Sequence, residues 1–184
     1  MLAVCLFAVV TLGAGEKPEP FSPYVDSKGI ITLPQDFRST WVHLGTWVVT
    51  SQIAAGTDLG QTAPATGLHD VYTQPDSLKA YKKGGKWPDG TVLVKEIRTV
   101  QWDDLPTGHV IYAGEISRWF VMIKDSKGHF SGNSNWGKGW GWALFKANDP
   151  KKNFSADYKN DCLGCHEVAK DTDWVFIQGY PTLR

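Results

Sequence analysis

The pentapeptide Cys162-Leu163-Gly164-Cys165-His166 carries the clearest chemistry in the sequence. Residues at i, i+3 and i+4 share one face of a helix, so two thiols and an imidazole point the same way. This C-x-x-C-H pattern attaches a c-type haem: the thiols form thioethers to the two vinyl groups, and His166 reaches the iron. A thioredoxin-like C-x-x-C would open a helix after a buried strand. Here a polar loop, NDPKKNFSADYKN, precedes it. A zinc site needs further ligands, and the other histidines, His43, His69, His109 and His129, are isolated rather than spaced as pairs. The spacing predicts one covalent haem c (cofactor: haem iron) held by Cys162, Cys165 and His166.

The opposite axial position has no obvious occupant. Apart from Met1 the methionine available is Met122, in an apolar stretch where Met commonly fills core. Each isolated His reads as readily as a surface or core residue. An open iron binds or transforms a small molecule, whereas an electron carrier usually keeps both positions filled.

The elements that must position this motif are mostly strands. The chain has 184 residues, 42% hydrophobic and 12% aromatic, with nine Trp, 19 Gly and 10 Pro, which suits one sheet-rich domain better than a helical bundle. Lys plus Arg equals Asp plus Glu at 19 each, so the formal charge is zero and nucleic acid is excluded as a partner expectation. Strands are expected in STWVHLGTWVVTSQI, GLHDVYTQ, WPDGTVLVKEIRTVQW (after the Asp89-Gly90 turn) and GHVIYAGEISRWFVMIKDSKGHF, which ends at Lys127-Gly128. Residues 54–67 read as a loop. PDSLKAYKKGG reads as a short helix opened by Pro75 and closed by Gly84, and residues 160–169 as the haem-attachment helix. The last ten residues look strand-like. The fold class expected is α+β, mainly antiparallel sheet with a few short helices.

The stretch MLAVCLFAVVTLGAG is an apolar run too short to span a membrane and resembles a signal-peptide core, although no basic residue precedes it. The other reading is a buried N-terminal segment. Export predicts a periplasmic protein, with residues 1–15 removed, an extended Pro-rich arm at 16–28 and a single haem domain at 29–184. Cys5 would leave with the leader.

With these residues in view, the chain resembles the cytochrome P-460 family. The likeness rests on C-x-x-C-H followed by KDTDWVFIQGYPTLR, together with WPDGTVLVKEI, and runs from about Gly29 to Arg184. The resemblance implies an antiparallel sheet with peripheral helices, a homodimer and a redox partner protein. In founding members a Lys of a D-G-T-V-x-V-K-E segment is covalently joined to the porphyrin edge. That segment here is Asp89 to Glu96, making Lys95 the candidate cross-link. Such members oxidise hydroxylamine and handle nitric oxide. The related cytochromes c′-beta bind nitric oxide or carbon monoxide in a pocket capped by Phe.

From the residues alone, Lys95 is ambiguous. Leu93, Lys95 and Ile97 share one strand face and Val94 and Glu96 the other, and both faces mix apolar with charged side chains. Phe120 falls near the place of a distal carboxylate in hydroxylamine-oxidising members, and His69 where a distal Arg occurs. A phenyl ring cannot take a proton; His69 can, if it reaches the pocket. Phe120 and Met122 share a face and would form an apolar lid, or simply core. In GNSNWGKGWGWALF, Trp alternates with Gly, offering flat surface to a haem or dimer partner, or an ordinary turn into a core strand.

Overall fold

The computed structural model describes residues 21–49 and 66–184. The leader read at 1–15, the first part of the 16–28 arm and nearly all of the 54–67 loop lie outside the described residues.

Valine-, isoleucine- and tryptophan-rich stretches build a six-stranded antiparallel sheet: β1 (Val42–Val49), β2 (Gly67–Thr73), β3 (Val92–Leu105), β4 (Gly108–Lys124), β5 (Trp136–Gly137) and β6 (Trp140–Lys146). Their spatial order is β1-β2-β3-β4-β6-β5. Helix α1 (Phe37–Thr40) precedes the sheet, and α2 (Pro75–Gly84) links β2 to β3. Pro75 opens α2, and Gly85, in the left-handed region at φ 67°, closes it by donating its N–H to the Tyr81 carbonyl. The fold is the α+β class expected from the sequence.

The first halves of β3 and the second half of β4 lie at the sheet centre and are covered on both faces. On one face Val92, Val94, Val121, Ile123 and Phe145 pack beneath Val25, Ile31, Leu33 and Phe37. Residues 21–40 thus form a lid over that face. The described end of the arm is part of this layer: Val25 is buried and bridges to Ile31. On the other face Leu93, Met122, Trp140, Trp142 and Val71 meet the C-terminal segment through Tyr158, Cys162, Val175 and Tyr180. The opposite ends of β3 and β4 run past the sheet as an exposed hairpin closed at Leu105↔Gly108.

Two boundaries differ from the sequence reading. Strand β4 stops at Lys124, because Asp125 turns inward and its N–H bonds the Gly139 carbonyl. The last ten residues are not a strand. After Thr172 the chain makes a left-handed turn at Asp173 and Trp174 (φ 56° and 66°) and ends in a 3-10 turn, Pro181–Leu183. They are apolar because they cover the sheet, with Val175 and Tyr180 buried. Contact is so close at Gly179 that a Cβ there would lie 2.2 Å from the Trp47 ring.

Candidate functional site

The C-x-x-C-H motif sits in one continuous but irregular helical segment. Lys159–Leu163 is a π turn, Gly164–His166 is α-helical and Glu167–Thr172 is 3-10. A π turn widens the backbone and is frequent at functional sites. The Asp161 carboxylate fastens the start of this segment to the preceding loop, accepting from the Ala156 N–H at 2.8 Å, the Asp157 N–H at 3.2 Å and the Ser155 hydroxyl at 3.1 Å. Hydrogen bonds from Asp157 and Ala156 hold its pKa below the usual carboxylate value.

Cys162 is buried, Cys165 is exposed, and both are free thiols. Burial pushes the Cys162 thiol up to about 11. His166 donates Nδ1–H to the Trp174 carbonyl at 2.6 Å, which fixes the proton on Nδ1 and leaves a lone pair on Nε2. Burial lowers its pKa to about 4; the Trp174 hydrogen bond only partly opposes this, and the Lys95 charge adds to it. The imidazole is therefore neutral near pH 7. It is held edge-on between Trp142, at 4.9 Å between centroids, and Phe176, at 5.2 Å.

These three groups face a cavity of about 490 Å³ between the C-terminal segment and the sheet. The sheet wall comes from alternate residues of four strands. Val71 pairs with Lys95, Lys95 with Phe120, and Phe120 with Leu144, so all four stand on one face. Lys95 is half-buried and lines the cavity, with Nζ 4.6 Å from the centroid of the Phe120 ring. Desolvation lowers its pKa to about 8, opposed by attraction to the Cys165 and Cys162 sulfurs. His69 and Met122 also line the cavity, each less than one-tenth exposed.

The other three histidines do not line it. His43 lies near Asp70 on the outer face of β1, His109 pairs with Asp104 on the hairpin, and His129 pairs with Asp125 at 2.7 Å. Sequence reasoning missed Arg118, Trp47, Phe176 and Tyr180, which complete the lining. Arg118 was within reach, since it lies two residues before Phe120 on the same strand face. Phe176 and Tyr180 follow the left-handed turn, where no periodicity operates. The Trp/Gly run divides its labour. Trp142 lines the cavity, Trp140 bonds the backbone carbonyl of Asp173, and Trp136 packs in the opposite layer.

The family model for cytochrome P460 matches residues 34–177. The chain belongs to the cytochrome P460 family. No curated protein matches it. Membership makes this a c-type haem protein, and the residues present fit that group on their own chemistry. The cavity lies in the 300–1,000 Å³ range of ligand and cofactor pockets. Its lining is largely apolar, two thiols and a neutral imidazole converge on it, and the imidazole's other nitrogen is already satisfied. Cys162, Cys165 and His166 would hold the haem. Among the described residues no helix is long and apolar enough to cross a membrane.

Proposed function

We propose that the protein is an exported, periplasmic oxidoreductase that acts on small nitrogen species, hydroxylamine or nitric oxide, at an open distal face of a single covalent haem. The observation that carries this reading is the meeting of Lys95 with Cys162, Cys165 and His166 around one cavity. A haem bound there supplies a redox-active iron that exchanges electrons with substrate and with a partner protein. With Nδ1–H given to the Trp174 carbonyl, the neutral Nε2 of His166 would be the metal ligand. Lys95, with a pKa near 8, is deprotonated in a usable fraction at neutral pH and is the candidate cross-link to the macrocycle. His69, buried in the wall, is the candidate to take the proton that hydroxylamine loses.

Digestion and mass spectrometry of the haem peptides test this. The expected product carries residues 86–98 and the C-x-x-C-H peptide on one porphyrin. Clean release of the 86–98 peptide removes the cross-link, and with it the main support for hydroxylamine chemistry.

One observation favours a second reading, a non-catalytic cytochrome c′-beta-like protein that binds nitric oxide or carbon monoxide. Phe120 stands in the cavity wall beneath the Lys95 ammonium, and a phenyl ring moves no protons. A strongly red-shifted ferrous Soret band and turnover of hydroxylamine with an added electron acceptor support the enzyme; an ordinary spectrum with gas binding alone supports the binder. Plain electron transfer, with Met122 or His69 as sixth ligand, predicts a low-spin iron indifferent to carbon monoxide.

The homodimer expectation finds its support in the projecting hairpin, where Trp102, Leu105, Ile111 and Tyr112 are all exposed. Light scattering of the wild type and of Trp102→Lys tests it. A dimer that dissociates in the variant supports this surface, and a monomeric wild type ends the expectation.

A further inference from the structure

The acceptor that fixes His166 lies in an unusual piece of backbone. Asp173 and Trp174 are consecutive non-glycine residues with φ of 56° and 66°. Single Asp residues visit this left-handed region; a following Trp there is unfavourable and persists only where surrounding contacts impose it. Trp174 is the residue whose carbonyl receives the His166 Nδ1–H.

The turn is held from two sides, by the sheet and by its own backbone. Lys124, the last residue of β4, places Nζ 2.7 Å from Asp173 Oδ1. Its side chain is only one-tenth exposed, and its ammonium lies 4.9 Å from the Trp140 ring centroid. Trp140 Nε1–H donates to the Asp173 carbonyl at 2.9 Å. On the far side the Trp174 N–H bonds the Ala169 carbonyl at 2.8 Å, and the Thr172 hydroxyl bonds the Val175 carbonyl at 2.7 Å. The local bonds close the turn on itself. Lys124 and Trp140 tie it to the sheet, on the face that bears Phe120 and Met122.

We propose that Lys124 is a positioning residue for the axial ligand: its ion pair with Asp173 holds the left-handed turn that aims the Trp174 carbonyl at His166. A carbonyl held on Nδ1–H orients the ring and raises the basicity of Nε2, so the anchor tunes the iron from a residue that touches neither haem nor ligand. This rests on the haem reading above.

The test compares wild type, Lys124→Met, Asp173→Asn and Lys124→Arg, produced with their haem attached. Lys124→Met keeps the aliphatic stem over Trp140 and removes the charge. Asp173→Asn keeps a residue that tolerates the left-handed region and removes the pair. The readouts are the iron–histidine stretching band of the five-coordinate ferrous form, generated by photolysis of the carbon monoxide adduct, and the reduction potential. Both neutral variants are expected to shift the band to lower frequency and the potential upward, with haem content unchanged, and Lys124→Arg to restore both. Unchanged band and potential in Asp173→Asn or Lys124→Met, even with a lowered melting temperature, would show a merely structural pair and overturn the proposal. Asp173→Asn carries the test if Lys124→Met fails to fold. A wild type without covalent haem would instead overturn the haem reading and this inference together.

Discussion

The two faces of the sheet are made from the same strands, yet they are finished differently. Neighbouring residues of β3 show it best. Glu96 points into the layer covered by residues 21–40, is 1% exposed, and is saturated by donors: Arg38, Arg98 Nε at 2.7 Å and Trp119 Nε1 at 2.8 Å. Lys95, one residue earlier, points into the other layer, where a cavity remains, and lies against the face of Phe120. Burial alone would raise the Glu96 carboxyl; hydrogen bonds from Arg38, Trp119 and Arg98 outweigh it and hold the pKa below the usual value. Burial lowers Lys95, with only the Cys165 and Cys162 sulfurs across the cavity opposing. A charge with all its partners belongs to the fold, and a charge aimed into a cavity without an ion-pair partner is a candidate for chemistry.

The largest effect expected from breaking this contrast is on the cavity side. Cys162→Ala with Cys165→Ala abolishes covalent haem retention, read as loss of haem stain on a denaturing gel, while the protein remains folded by circular dichroism. On the closed side Glu96→Gln should cost about 2 to 3 kcal/mol in urea unfolding, because the buried carboxylate charge is lost while its partly exposed partners Arg38 and Arg98 remain. The pH dependence follows with a definite sign. A carboxylate depressed in the folded state contributes stability above its unfolded pKa, about 4.3, and that contribution is lost as pH falls through the folded value. Wild type should lose stability between about pH 5 and 3 more steeply than Glu96→Gln. Parallel curves would remove Glu96 as the titrating support of this layer.

Gly179→Ala probes where the C-terminal segment meets the sheet. Its new methyl would lie 2.2 Å from Trp47, so one of the two must move, at about 2 kcal/mol. The mutation should also loosen haem peptide packing, read as faster proteolysis near the C-terminus. The smallest effect belongs to Lys95→Met. Removing a desolvated amine without a carboxylate partner should change unfolding free energy by less than about 1 kcal/mol, or raise it. It should nonetheless eliminate any 86–98 haem peptide. A loss as large as that of Glu96→Gln would mean that Lys95 supports the fold as Glu96 does.

Strand positions were legible because β-branched and aromatic residues announce themselves. Alternation put Lys95 with Leu93 and Phe120 with Met122 without any structure. It could not say which face was which, since Val94 accompanies Glu96 and Leu93 accompanies Lys95. Only the covering layers distinguish them, and these come from residues far along the chain. The C-terminal decamer reads as a strand yet folds as turns, because apolar composition signals burial and not backbone direction. Its turn at Asp173 and Trp174 is tied down by Lys124 and Trp140, 49 and 33 residues before Asp173.

The sequence by itself determined what is local: two thiols and an imidazole spaced to share one helical face, the pattern of c-type haem attachment. It also determined a sheet, because residue types favour the pleat. Tertiary structure alone decided that Lys95, His69 and Phe120 share a cavity with that triplet, and that a carbonyl from a left-handed turn fixes the tautomer of His166. Those arrangements depend on cross-strand register and on packing between distant segments, and neither is written in the order of neighbouring residues.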